Sequence, residues 1–92
     1  MNSERFLASI ELNLTPMAPD FIPGIIKKQM ENLNVSYTTL TPVSARMFIY
    51  NVADALSMFI GPEGSRRARI FMLKKLRECC NETEMTALEY SY

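Results

Sequence analysis

A glycine followed at once by a proline, Gly61-Pro62, interrupts the longest helix-periodic stretch of this chain. Glycine readily takes the left-handed conformation that ends a helix, and proline cannot continue one. Upstream, Thr41 is a good N-cap with Pro42 at the first helical position. From there Ala45, Phe48, Val52, Ala55, Leu56 and Phe59 recur at helical spacing as far as Ile60. Downstream, a short turn through Glu63 and Gly64 leads to Ser65, a second N-cap. A helix over 66–80 then aligns Ala68, Met72, Leu73, Leu76, Cys79 and Cys80. Two amphipathic helices joined by so few residues lie antiparallel. The sequence therefore predicts a helical hairpin over 42–80.

The first half reads differently. Residues 7–14 alternate apolar and polar from Ala8 onward, the pattern of a half-buried strand. A loop follows through Pro16 and Pro19, then a helix opening near Pro23 and ending near Asn34, with Ile25, Ile26, Met30 and Leu33 as its apolar stripe. Residues 35–40 are rich in Val, Tyr and Thr and suit a second strand. Two lone strands need a helix or another subunit to cover them. Asn81 ends the hairpin or caps a last turn with Glu84 at the capping-box position. The expected fold is α+β, mainly α. It is one domain over 1–92, made of a strand-helix-strand part (1–41), the hairpin (42–80) and a tail (81–92), in which Tyr90 and Tyr92 are expected to fray.

Ninety-two residues make a marginal core, for which oligomerisation is a common remedy. Ten basic and ten acidic side chains cancel, so no chain-wide grip on nucleic acid is implied. Histidine is absent, which removes the usual neutral-pH general base and the commonest zinc ligand. Cys79 and Cys80, adjacent on a helix, point about 100° apart and suit neither an ordinary disulfide nor a metal site. Free thiols, no signal-peptide core near the N-terminus and no unbroken membrane-length apolar run lead to an expected cytoplasmic location. In that setting the sequons at Asn13, Asn34 and Asn81 are read as chance. No glycine-rich phosphate loop, carboxylate pair or nucleophile with a base is present, so no enzyme and no cofactor are expected.

Charge is unevenly placed. Six of the ten basic residues (Arg66, Arg67, Arg69, Lys74, Lys75, Arg77) fall between 66 and 77, uninterrupted by an acid. On a wheel of about 100° per residue, Arg66, Arg67, Arg69, Lys74 and Arg77 share one broad face. Arg66 and Arg67 also lie in a first helical turn, where backbone N–H groups favour an anion. The arginine fork suits phosphate oxygens; the plainer reading is a solvated basic face. Lys27 and Lys28, with Tyr37 near in sequence, form a second candidate patch, because tyrosine stacks on a base while lysine meets a phosphate. The plainer reading of this patch is a helix surface beside a strand aromatic, and Tyr50, Tyr90 and Tyr92 are equally open to either reading. Ile70 and Phe71 fall outside the hairpin's apolar stripe and are expected to meet a partner, another subunit or the N-terminal half.

The run over 61–80, GPEGSRRARIFMLKKLRECC, resembles the hairpin shared by the anti-CBASS and anti-Thoeris sponges, phage proteins that sequester cyclic nucleotide immune signals. Pro62-Glu63-Gly64 matches the family's turn, Arg67 and Arg69 its basic pair, Leu73 its leucine, and Lys75-Leu76-Arg77-Glu78-Cys79 its closing run. Two features depart from the pattern. The turn holds extra residues, so Arg66 and Arg67 compete for one place, and Cys79-Cys80-Asn81 replaces an alanine-rich, tryptophan-containing end. The resemblance implies a homo-oligomer, a hexamer, with ligand sites between subunits. It also implies that Arg67 or Arg66 faces the phosphates of a cyclic oligonucleotide or a cyclic ADP-ribose type ligand. The alternative is a small viral or bacterial inhibitor of protein–protein interaction acting through the hairpin surface.

Overall fold

The computed structural model describes residues 1–89, so Tyr90 and Tyr92 lie outside the described residues. It contains four α-helices, α1 (Ser3–Leu14), α2 (Ile22–Asn32), α3 (Pro42–Cys79) and α4 (Glu82–Glu89), with a single 3-10 turn (Thr15–Met17) after α1. Among the described residues there is no strand. The fold is all-α, and the expected α+β class is wrong at both strand positions.

The first correction falls on 7–14, which lies within α1. Ile10, Leu12 and Leu14 fit an alternating pattern, but Phe6, Ile10 and Leu14 equally fit a four-residue spacing, which places them on one helical face. The helix wins because Phe6, Leu7, Ile10 and Leu14 are all buried together, while Leu12 is left 76% exposed. Asn2 starts this helix by accepting a hydrogen bond from the Arg5 N–H at 3.1 Å.

The second correction falls on 35–40. Asn34 takes a left-handed φ of 55° at the end of α2. The Val35 N–H donates to the Met30 carbonyl at 3.0 Å and the Asn34 N–H to the Glu31 carbonyl at 3.0 Å, the paired bonds of a Schellman ending. The chain then turns: the Ser36 N–H donates to the Thr39 hydroxyl at 2.7 Å and the Thr39 N–H to the Ser36 carbonyl at 3.2 Å. Serine and threonine thus satisfy locally the backbone groups that a strand would have needed a neighbour to satisfy.

Thr41 and Ser44 open α3 with a reciprocal capping box, and Pro42 occupies the first turn. Within α3, Gly61 departs from helical geometry, with φ 79° and ψ 173°, and the chain folds back on itself there. The second arm begins at Pro62, so Glu63 and Gly64 are helical and no separate turn precedes Ser65. Ser65 is not an N-cap: its hydroxyl donates to the Ala53 carbonyl on the first arm at 2.6 Å. A Cβ on Gly64 would lie only 2.9 Å from the Ile60 side chain, so close approach of the arms depends on that glycine.

The core joins Phe6, Leu7, Ile10 and Leu14 of α1 and Ile22, Ile26 and Met30 of α2 to both arms of the hairpin. On the hairpin, Ala45, Phe48, Ile49, Val52, Ala53, Leu56, Ala68, Met72 and Leu76 are buried. Phe6 meets Phe48 edge-on, with ring centroids 6.4 Å apart. Phe59 leaves the expected stripe; it is 48% exposed and stacks on Phe21 at 4.3 Å. α4 opens on Asn81 and Glu84, which exchange hydrogen bonds at 3.1 and 2.8 Å. Glu84 also meets the Met1 ammonium at 2.5 Å, and the Asn2 N–H donates to the Cys79 carbonyl at 3.1 Å. α3 alone is long and apolar enough among the described helices to cross a membrane, but a core helix passes the same test, and Gly61 reverses this one midway.

Candidate ligand-binding groove

The fold-back at Gly61 sets which residues of the two arms face each other. Ala53 is matched with Ser65 and Tyr50 with Arg69, whose guanidinium lies over the tyrosine ring, 5.9 Å from its centroid. One step further out, Arg46 and Leu73 face a common groove, and α4 supplies its far wall. Arg46, Tyr50, Leu73, Leu76, Arg77, Met85 and Leu88 line this space of about 350 Å³. That is within the range of small-molecule sites, which run from roughly 300 to 1,000 Å³.

The groove is electrostatically one-sided: none of its lining residues is acidic. Arg46 is held in place through a hydrogen bond from Nη1 to the Leu88 carbonyl at 3.1 Å, at the C-terminal end of α4 where carbonyl dipoles favour a cation. Arg77 is exposed on the second arm, and Arg69 sits at the rim on the face of Tyr50. Leu73, Leu76 and Met85 give an apolar floor. An ordered arginine at the wall, further arginines at the rim and an aromatic ring between them suit an anionic ligand with a flat apolar part.

The expected site residues do not converge. The one broad basic face divides, with Arg69 and Arg77 turned toward this groove and Arg67 toward a separate hollow against α1. Arg66 and Arg67 are exposed beside the turn, 3.6 and 3.7 Å from the Glu63 carboxylate. Their positive charge at the start of the second arm is thus met in part by Glu63, one turn back. Lys27 and Lys28 are exposed on α2, and Tyr37 is 49% exposed in the connection before α3; neither patch belongs to the groove lining. Sequence reasoning missed Arg46 altogether and left Tyr50 undecided. The available signal was spacing: Arg46 and Tyr50 stand four apart on one arm, as do Arg69, Leu73 and Arg77 on the other, which keeps each set on one face.

Two half-buried thiols, Cys79 and Cys80, lie at the α3–α4 junction. Burial, with Glu84 next in importance, pushes the Cys80 thiol up from its ordinary range, which favours the protonated form. Among the described residues, no group of three or more Cys, Asp or Glu is arranged to hold a metal ion.

No family model matches the sequence, and neither the curated proteins nor the solved structures contain a match to it.

Proposed function

We propose that this protein binds and sequesters a cyclic nucleotide signal without cleaving it, in the manner of the phage anti-CBASS and anti-Thoeris sponges, in the cytoplasm of a bacterial host. The observation that supports this reading is the groove, where Arg46, Arg77 and Tyr50 gather with no lining carboxylate and with Arg69 stacked on the tyrosine. In this reading Arg69 and Arg77 take the phosphate oxygens, Tyr50 and Leu73 receive the base, and Arg46 braces the wall through α4. The phosphate role thereby moves from Arg67 or Arg66 to arginines further along the same arm. A sponge needs tight binding and no turnover, which asks for donors and a stacking surface rather than a nucleophile or base. Assembly of several copies, a hexamer in the sponge analogy, belongs to the same reading, although this groove is walled within one chain.

Isothermal titration calorimetry against cyclic di- and trinucleotides and cyclic ADP-ribose isomers tests the proposal, with light scattering on the same sample. The expected result is sub-micromolar binding of one member, with the ligand recovered chemically intact. Arg69→Ala and Arg77→Ala should each weaken binding by about 10-fold or more, since a charged hydrogen bond contributes roughly 1.5–3 kcal/mol. No heat across the panel, or binding that survives both substitutions, would overturn it.

A further inference from the structure

The opposite flank of the second arm carries its own hollow. Asn13 and Leu14 at the end of α1 and Met17 of the 3-10 turn face Arg67, Ala68 and Phe71 across a shallow hollow of about 190 Å³. The space is separate from the groove above: the two share no lining residue. Its floor is apolar, and on the helix surface beside it Ile70 stands 52% exposed. Around this apolar strip lie cations: Arg66, Arg67 and Lys74 are exposed, and the Lys75 ammonium sits 5.6 Å from the centre of the Phe71 ring. Glu63 answers Arg66 and Arg67 at 3.6 and 3.7 Å and Glu78 answers Lys75 at 3.0 Å, so cations still outnumber carboxylates on this flank. Such open, screened pairs leave most donors of Arg66, Arg67 and Lys74 available.

We propose that this flank is a docking surface for an acidic amphipathic helix of a partner protein. A hollow of this size takes one large apolar side chain, and Ile70, one turn from Arg66 and Arg67, takes the next along the partner's stripe. Acidic residues flanking that stripe would then meet Arg66 and Arg67 at one end and Lys74 at the other. This is the helix-in-groove mode, in which anchors spaced three or four residues apart give affinity and flanking charge gives orientation and on-rate. Charge complementarity selects the sign of the partner, and the concave apolar floor selects a protein side chain. A nucleic acid backbone would leave the exposed apolar side chains of Met17 and Ile70 uncovered and would face a chain of zero net charge. An anionic membrane surface is planar and would not fill the hollow.

Selection from a displayed library of helical peptides, randomised in both apolar face and charge, against the immobilised full chain tests this. The expected winners are net acidic. Their binding should weaken at least about 10-fold on Arg67→Glu and on Ile70→Ser, both of which alter exposed side chains and should leave the helical circular dichroism intact. In an ¹⁵N-labelled sample the shifts should cluster at Asn13, Met17, Ile70 and Phe71. Winners without an acidic bias, or binding untouched by both substitutions, would overturn the proposal. So would tighter binding of phosphatidylglycerol vesicles or a single-stranded oligonucleotide that is lost in the same two variants. Failure here leaves the nucleotide groove unaffected, because Arg69, Arg77 and Tyr50 take no part.

Discussion

Replacing Gly61 by alanine isolates the one backbone conformation on which the hairpin depends. At φ 79° and ψ 173°, Gly61 occupies a region almost closed to residues with a Cβ. Nothing lies within 4 Å of where that Cβ would stand, so no steric clash with neighbours contributes. The cost is therefore backbone strain alone, about 1–3 kcal/mol. For a chain of this length each kcal/mol shifts Tm by about 4–8 °C, which gives an expected loss of roughly 5–20 °C. Gly24 is the matched control: it too has open space around a built Cβ, but it lies in the first turn of α2 with no positive φ. Gly24→Ala should raise stability by about 0.4–1 kcal/mol through the unfolded chain. Thermal and urea unfolding followed by circular dichroism would measure both, with light scattering to detect a hairpin that opens and swaps between chains. If Gly61→Ala melts as the parent does and Gly24→Ala does too, the strain argument is refuted.

Other perturbations have directions fixed by the same structure. Ser3 is buried, and its hydroxyl has no hydrogen-bond partner among the described residues, so Ser3→Ala should be neutral or stabilise by up to about 1 kcal/mol in urea unfolding. Thr41→Ala removes half of the capping box of α3 and should cost about 1 kcal/mol; a midpoint unchanged in urea would argue against the cap. The Glu84 carboxyl is held below its ordinary value of 4.5, first by its hydrogen bond with the Met1 ammonium and then by the Asn81 N–H. Because its folded pKa is depressed, its contribution is complete above 4.5 and is lost as the pH falls through the folded value. Urea midpoints measured down through that window should fall more steeply for the parent than for Glu84→Gln.

The hairpin was legible because its signals are local: Thr41 and Pro42 at the start, Gly61 and Pro62 at the fold-back, and apolar residues at helical spacing between them. α1 was not, because a strand over 7–14 leaves out Phe6 and sets Leu7 aside from an alternation that starts at Ala8, and these two residues break the tie between two periods in favour of four-residue spacing. The 35–40 segment has the β-branched and aromatic content of a strand, yet among the described residues no second strand accepts its hydrogen bonds. Asn34 and the Ser36–Thr39 contacts turn it instead. For the groove, the sequence showed a basic second arm but not its division. Which arginine faces which neighbour follows from register across the hairpin, and register follows from the backbone at Gly61. Counting outward from that point pairs Tyr50 with Arg69 and Arg46 with Leu73.

The attachment of α4 has a consequence for how the groove comes and goes. The hairpin arms meet through residues close in sequence, such as Ser65 with Ala53, whereas α4 is tied down by Arg46 on Leu88 and by Met1 on Glu84, contacts spanning 42 and 83 positions. Long-range closures of that kind form late and open early, since the intervening chain must already be ordered. The wall of the groove is thus the least independent part of the molecule. Amide exchange in α4 should outpace exchange in α3, and a ligand seated between the arms would slow it, registering occupancy at the element that closes the groove.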